Sequence, residues 1–132
     1  MTTYPTLVQV VLDAVDVREL AEFYRRLLGL QYRPGDEQER GQDWLNLRHP
    51  DGRPALAFQQ VPTLPRATWP DGAVPQQLHL DTSVATTEEL DRQHERALSL
   101  GAELLLDRSA DPDEPLRVYA DPAGHPFCIF VA

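Results

Sequence analysis

Hydrophobic and polar positions in the first half of the chain change period in a definite order. Residues 7–13 are rich in β-branched side chains and alternate, which is typical of a strand. Asp16 then precedes an apolar stripe of 3.6-residue period that stops at Gly29, which indicates an N-capped helix. Short apolar runs at 30–33, 44–48 and 55–61 predict three further strands. The first half therefore has the order β-α-β-β-β.

The second half repeats this order. Strands are predicted at 77–82, 103–106, 116–120 and 127–131. A helix begins at the capping box of Thr86 and Glu89 and ends at Gly101. Thr86 lies 70 positions after Asp16, whereas Gly101 lies 72 positions after Gly29. A single two-residue difference inside the helix explains both offsets, so the chain contains one module twice.

Matching turns support the duplication. Asp121-Pro122-Ala123-Gly124 reads as a type I turn before an apolar strand, and Pro50 and Gly52 stand 72 positions before Pro122 and Gly124. Residues 62–76 are rich in proline and predict a linker, in which Trp69 is interpreted as a packing anchor rather than a ligand contact. We expect one domain over 1–132, with modules at 5–61 and 77–132.

Composition narrows the partners of this domain. A length of 132 residues suits one compact domain. The net charge of −9 argues against nucleic acid or an anionic membrane as partner, because both would be repelled. Cys128 is the single cysteine and the N-terminus has no basic, apolar leader, so we expect a soluble cytoplasmic protein without a disulfide or membrane span. Neutral or cationic small ligands remain open.

Two motifs resemble those of a known superfamily. Leu78-His79-Leu80-Asp81 and Asp121-Pro122-Ala123-Gly124-His125-Pro126-Phe127, together with the paired modules, resemble the vicinal oxygen chelate superfamily. It includes glyoxalase I, bleomycin-resistance proteins and extradiol dioxygenases, and the chain looks closest to glyoxalase-like proteins common in actinobacteria. The resemblance implies an α+β fold in which two tandem βαβββ modules form a cup-shaped mixed sheet. It also implies a homodimer.

The resemblance also implies where a divalent metal would bind. Superfamily members place ligands on the first and last strands of each module, and these positions correspond here to Gln9, Leu56, His79 and Cys128. Leu56 cannot bind metal, Gln9 is a weak ligand, and Cys128 stands in place of an expected carboxylate. Gln9 and His79 are thus the candidate metal ligands of an incomplete set. The cofactor, if any, stays undetermined.

His79 and Cys128 each admit two interpretations. By alternation, His79 shares a strand face with Asp81, opposite two leucines, so it is either a general base or a core-edge histidine bonded to a backbone carbonyl. Cys128 lies between apolar neighbours, which favours a small buried hydrophobe over a reactive thiolate.

Four further strand residues are candidates for ligand binding. Two aromatic rings, one amide and one guanidinium would suit a planar organic molecule with a carboxylate or carbonyl; these residues are Trp44, Asn46, Phe58 and Arg117. A register slip of one residue would turn each of them to the other face. Arg117 could equally be a surface cation.

Two functions fit this sequence. One is a glyoxalase-like lyase, isomerase or oxygenase acting on a small metabolite, with His79 as base or ligand and Gln9 orienting the substrate. The other is a metal-free protein that sequesters a small molecule, similar in kind to bleomycin-resistance proteins. The acidic charge favours a cationic ligand for the second function.

Overall fold

The chain folds as two compact units, Met1–Pro62 and Thr63–Ala132. The computed structural model describes residues 3–37 and 41–132. Each unit carries one four-stranded mixed sheet and one helix. The predicted α+β fold of two tandem modules is therefore confirmed.

The first unit has the element order predicted from the periodicity. Its elements are β1 (Val10–Ala14), α1 (Val17–Leu28), β2 (Gln31–Tyr32), β3 (Trp44–Arg48) and β4 (Pro54–Gln60). The spatial order is β1-β4-β3-β2, with β1 parallel to β4 and the other pairs antiparallel. A parallel pair requires a crossover connection, and α1 begins that crossover.

The core of the first unit lies between α1 and one face of its sheet. Asp16 caps the helix by accepting a hydrogen bond from the Glu19 amide at 3.0 Å, and Gly29 ends it at φ +67°. The ring of Tyr24 stacks on that of Phe58, with 6.2 Å between their centroids. The apolar stripe predicted for α1 is the buried stripe of the structure.

The second unit repeats this arrangement. Its elements are β5 (Leu80–Val84), α2 (Thr87–Leu100), β6 (Glu103–Arg108), β7 (Leu116–Ala120) and β8 (Pro126–Val131). The spatial order is β5-β8-β7-β6, and β5 is parallel to β8. Leu90 and Ala97 of α2 are fully buried, and Tyr119 stacks on Phe127 beneath that helix.

Individual backbone hydrogen bonds also repeat. The Gly52 amide donates to the carbonyl of His49, and the Gly124 amide donates to the carbonyl of Asp121. The Leu90 amide donates to the Thr86 carbonyl 70 positions after the equivalent bond at the start of α1. The helices contain 12 and 14 residues. The two-residue difference predicted inside the helix is therefore confirmed.

One β-bulge changes the correspondence predicted between β4 and β8. Arg48 pairs with Pro54 but Leu47 pairs with Leu56, so Ala55 is an extra residue in β4. The register beyond the bulge is therefore offset by 71 positions rather than 72, and Ala57 corresponds to Cys128. The prediction that Leu56 is the position equivalent to Cys128 in the first module was therefore wrong by one residue. Leu56 pairs across the sheet with Leu47, whose side chain is fully buried.

The first strand of each unit starts three residues later than predicted. Pairing begins at Val10 with Leu56 and at Leu80 with Phe127, where the parallel partner strands become available. Val8 and Val10 are exposed, whereas Leu12 on the same strand face is buried. The hydrophobic alternation extends beyond the paired segment, so it does not mark where the strand begins.

Residues 63–76 of the proline-rich segment belong to the second unit. Arg66 donates to the carbonyl of Pro122 at 3.0 Å and forms an ion pair with Glu103 at 3.7 Å. A Cβ atom on Gly124 would lie 3.0 Å from the Cβ of Arg66. The absence of a side chain at Gly124 thus allows the segment to lie against the Asp121–Gly124 turn.

Candidate functional site

A cavity of about 320 Å³ lies in the second unit, on the sheet face opposite α2. Residues from all four strands, from the preceding segment and from the β6–β7 loop line it: Trp69, Gln76, His79, Asp81, Leu106, Arg108, Glu114, Leu116, Val118, Pro126 and Cys128. Half-buried or buried apolar side chains form its wall, and exposed or half-buried polar ones form its rim. This division is typical of a small-molecule site.

The pairing of the sheet determines which side chains reach the cavity. Asp81 pairs with Cys128, and Cys128 pairs with Val118, so these three residues share one face. A register shift between Leu104 and Leu106 places Leu106 opposite Val118. The wall is therefore built from one row of residues that crosses all four strands.

Two residues reach the cavity from the proline-rich segment. Trp69 contributes a half-buried ring, and Gln76 contributes an amide. The Oε1 atom of Gln76 is shielded from solvent and has no hydrogen-bond partner within 3–37 and 41–132. A shielded amide oxygen without a donor is costly, so this atom is a natural acceptor for a ligand N–H or O–H group.

His79 and Asp81 form the polar pair at the rim. Nε2 of His79 lies 3.4 Å from Oδ1 of Asp81, and about half of each side chain is exposed. In the tautomer whose Nε2–H points at the carboxylate, Nδ1 carries a lone pair and is the ring atom that can accept a proton. The predicted sharing of one strand face by His79 and Asp81 agrees with this geometry.

Cys128 lies in the cavity wall as a neutral thiol. Its side chain is buried, and burial, followed by the negative charges of Asp81 and Glu114, raises the pKa of the thiol to about 11. At neutral pH the sulfur is therefore protonated and weakly nucleophilic. This environment agrees with the interpretation of Cys128 as a small hydrophobe.

The remaining candidate residues from the first module lie in the first unit. Gln9 is half-buried just before β1. Trp44 and Asn46 point to one face of β3, where Nε1 of Trp44 donates to Oδ1 of Asn46 at 2.6 Å. Phe58 pairs with Leu45 and Leu12, lies on the α1 side of the sheet and is fully buried. Phe58 therefore belongs to the core, and this differs from the prediction that it contacts a ligand.

Arg117 lies on the α2 side of the second sheet, away from the cavity. Its guanidinium donates to the Leu90 carbonyl at 3.4 Å, to Asp91 at 3.0 Å and to Ser109 at 3.1 Å. It also forms an ion pair with Asp107 at 3.3 Å. Arg117 thus joins α2 to the sheet, and neither the ligand-binding role nor the surface cation predicted for it matches this position.

The donor set of the cavity does not fit a divalent metal. His79, Asp81 and Glu114 line the cavity with donors that suit such an ion, whereas Cys128 offers a soft thiol in the place of a carboxylate. Over 3–37 and 41–132, no three His, Cys, Asp or Glu side chains are arranged to hold a metal ion.

Sequence reasoning missed most of the cavity lining. Leu106, Leu116 and Val118 alternate with residues of the opposite face, and this signal was present in the sequence. The sequence gives no such indication for Trp69 and Gln76, because apolar and polar positions do not alternate regularly in a proline-rich segment. Glu114 lies in a loop and was equally hidden.

Comparison with known proteins identifies the family. The model of the glyoxalase-like domain family matches residues 9–130, so the chain belongs to that family and to the vicinal oxygen chelate superfamily. The predicted superfamily membership is confirmed. No curated protein sequence matches the chain.

Solved structures share the fold at low sequence identity. A glyoxalase-related enzyme from Fulvimarina pelagi is 21% identical with a TM-score of 0.69, covering 98% of this chain and 89% of that chain. A glyoxalase/bleomycin resistance protein/dioxygenase family enzyme from Burkholderia phytofirmans PsJN is 17% identical with a TM-score of 0.67, covering 94% and 96%. The fosfomycin resistance protein FosX from Mesorhizobium loti is 13% identical with a TM-score of 0.66, covering 98% and 94%.

Across the part of the chain that the structure describes, neither α1 nor α2 could cross a membrane, because both are too short and too polar.

Proposed function

We propose that this protein binds a small organic molecule in the cavity of the second unit. The observation that carries the proposal is the cavity itself, in which an apolar wall faces a rim holding His79, Asp81 and Gln76. Its volume of about 320 Å³ suits a ligand of modest size. Trp69 offers an aromatic face beside the wall, and such a ring contributes a large apolar contact.

Thermal-shift screening followed by calorimetry tests this proposal. A ligand held well above its dissociation constant should raise the melting temperature. Trp69→Ala should weaken binding roughly tenfold, because it removes the aromatic contact. Leu98→Ala, at an exposed position of α2 in the same unit, is the control and should leave affinity unchanged, because Leu98 does not line the cavity. Equal losses in both variants, or no binding in any screen, would refute the proposal.

A catalytic version of this function rests on the His79–Asp81 pair. Nδ1 of His79 accepts a proton from a carbon acid or hydroxyl of the ligand, and the imidazolium that forms is held by Asp81 at 3.4 Å. An isomerase completes its cycle by returning this proton to the product, whereas a lyase gives it to the leaving group. The protein that only sequesters its ligand has no use for this step.

His79→Gln separates catalysis from sequestration. Glutamine retains polarity without a base, so turnover should fall about a hundredfold or more while the dissociation constant changes little. A ligand that is recovered unchanged after long incubation with the unmodified protein would favour sequestration instead.

The metal question has its own measurement. Protein purified without added metal should be analysed for bound ions, and zinc, nickel, manganese and ferrous iron should then be added in turn. Because the donors in the second unit are incomplete, we expect substoichiometric metal and unchanged ligand affinity. One tightly bound ion per chain would contradict this expectation.

We also propose that the protein forms a homodimer, on the resemblance to its superfamily. Sedimentation equilibrium should then give twice the chain mass of 14.9 kDa. A single species at the chain mass over a wide concentration range would exclude it.

A further inference from the structure

We propose that the ligand of the second unit carries a protonated amine, or a comparable cationic hydrogen-bond donor, at the end that faces the rim. The inference rests on the proposed function and adds the chemical class of the ligand. It follows from the acceptors and charges that surround the cavity.

Acceptors predominate at the rim. Asp81 and Glu114 present carboxylates at the rim, and Gln76 lines the cavity with an amide whose oxygen is shielded from solvent and lacks a donor within the described residues. A rotation about the terminal torsion of Gln76, which is broad in energy, would turn this oxygen toward a ligand. An ammonium group has three donors and no acceptor, so it matches these three groups.

The net field also favours a cation. The cavity lining carries two carboxylates, those of Asp81 and Glu114, and one guanidinium, that of Arg108. His79 adds a positive charge only when it is protonated. The pKa of the Cys128 thiol in the cavity wall agrees with a negative field, since Asp81 and Glu114 both raise it. A ligand carboxylate would meet the same repulsion as a thiolate in this position.

The apolar wall accounts for the other end of the ligand. Leu106, Leu116 and Val118 are half-buried on the cavity face and offer no polar atom. A short aromatic or aliphatic body attached to an amine would cover this wall and leave its charge at the rim.

Three probes with one body test the inference: 3-phenylpropylamine, 3-phenylpropanol and 3-phenylpropionate. Calorimetry should give about tenfold tighter binding for the amine than for the alcohol. A charge-assisted hydrogen bond is roughly twice as strong as a neutral one, and the difference in free energy corresponds to about that ratio of affinities. The carboxylate should bind weakest. Added salt should weaken binding of the amine and leave the affinity for the alcohol unchanged.

Variants identify the groups responsible. Asp81→Asn and Glu114→Gln should each reduce the preference for the amine over the alcohol by about threefold. Gln76→Leu should weaken amine and alcohol alike by about fivefold, because both donate to Oε1. Asp113→Asn and Gln77→Leu are the matched controls, since both residues are exposed and neither lines the cavity.

The outcomes separate this inference from the proposed function. Equal affinity for the three probes, or tightest binding of the carboxylate, would overturn the cationic class while the cavity remains a ligand site. The cationic class would also be overturned if none of the three probes bound while a screen yielded an anionic or neutral ligand whose binding Trp69→Ala weakens. Failure of every compound would overturn both.

Discussion

At the scale of single residues, Cys128 shows how neighbours decide the chemistry of a side chain. A thiol in an apolar strand looks inert in the sequence, and the structure adds two carboxylates near it. Both effects act in the same direction, because burial and negative charge each disfavour the thiolate.

Thiolate formation at Cys128 is therefore expected only at high pH. Ultraviolet titration of this single thiol should give a midpoint near pH 11 rather than 9. Since the folded pKa is raised, the stability that this group contributes is complete below pH 9 and declines as pH rises through 11. Asp81→Asn should lower the midpoint, whereas Asp113→Asn should not. Rapid alkylation of the unmodified protein at pH 8 would contradict this expectation.

Arg117 is a second residue whose role depends on its surroundings. Its side chain is 10% exposed and holds two carboxylates and a carbonyl. Its removal would leave these groups without their cation.

Arg117→Ala should lower the free energy of unfolding by about 2 kcal/mol, as expected for loss of charged hydrogen bonds. Ligand affinity should stay constant, because Arg117 faces α2 rather than the cavity. Arg92→Ala is the control; its pair with Glu89 is largely exposed and contributes less than about 1 kcal/mol. Urea unfolding measures both, and an unchanged stability in Arg117→Ala would refute the structural role.

At the scale of elements, the two equivalent turns differ in one respect. Gly52 and Gly124 have nearly the same backbone conformation, with φ of +90° and +98°. Nothing lies within 4 Å of a Cβ added at Gly52, whereas one added at Gly124 would meet Arg66. The pair therefore separates backbone strain from packing.

Gly52→Ala should cost about 1 to 2 kcal/mol for the left-handed conformation alone. Gly124→Ala should cost at least about 1 kcal/mol more, because Arg66 and its segment must move. Trp69 lies three residues beyond Arg66, so its fluorescence should shift in Gly124→Ala but not in Gly52→Ala. Equal stabilities of the two variants, measured by thermal unfolding, would show that the contact with Arg66 is unimportant.

At the scale of the whole molecule, each unit contains its own carboxylate with a strongly lowered pKa. In the first unit, hydrogen bonds from Arg25 and Tyr32 lower the pKa of Glu22 to about 2. In the second, hydrogen bonds from Ser109, aided by Arg117, lower the pKa of Asp107 to about 2. Each unit also contains one tryptophan, Trp44 or Trp69, that can report its unfolding.

Acid should destabilise both units below their ordinary carboxylate pKa values. The folded pKa of Glu22 is depressed, so its contribution is present above pH 4.5 and is lost as pH falls toward 2. Glu22→Gln should flatten the dependence of stability on pH that Trp44 fluorescence reports in a Trp69→Phe background. Asp107→Asn should flatten the dependence that Trp69 fluorescence reports in a Trp44→Phe background. Identical acid profiles in parent and variant would contradict this assignment.

The duplicated architecture could be predicted from the sequence alone because its signals are local. Helix caps at Asp16 and Thr86, stops at Gly29 and Gly101 and the turns at Gly52 and Gly124 each depend on a few neighbouring residues. The sequence also indicated that His79 and Asp81 share a face, since alternation is a property of one strand.

Tertiary structure alone decided which faces meet and what surrounds them. A single extra residue at Ala55 turned Leu56 toward the core, and strand pairing placed Arg117 under α2 instead of in the cavity. Trp69 and Gln76 reach the cavity through the packing of an aperiodic segment. Contacts between residues far apart in the chain leave no local pattern, so the candidate site became visible only when the strands were paired.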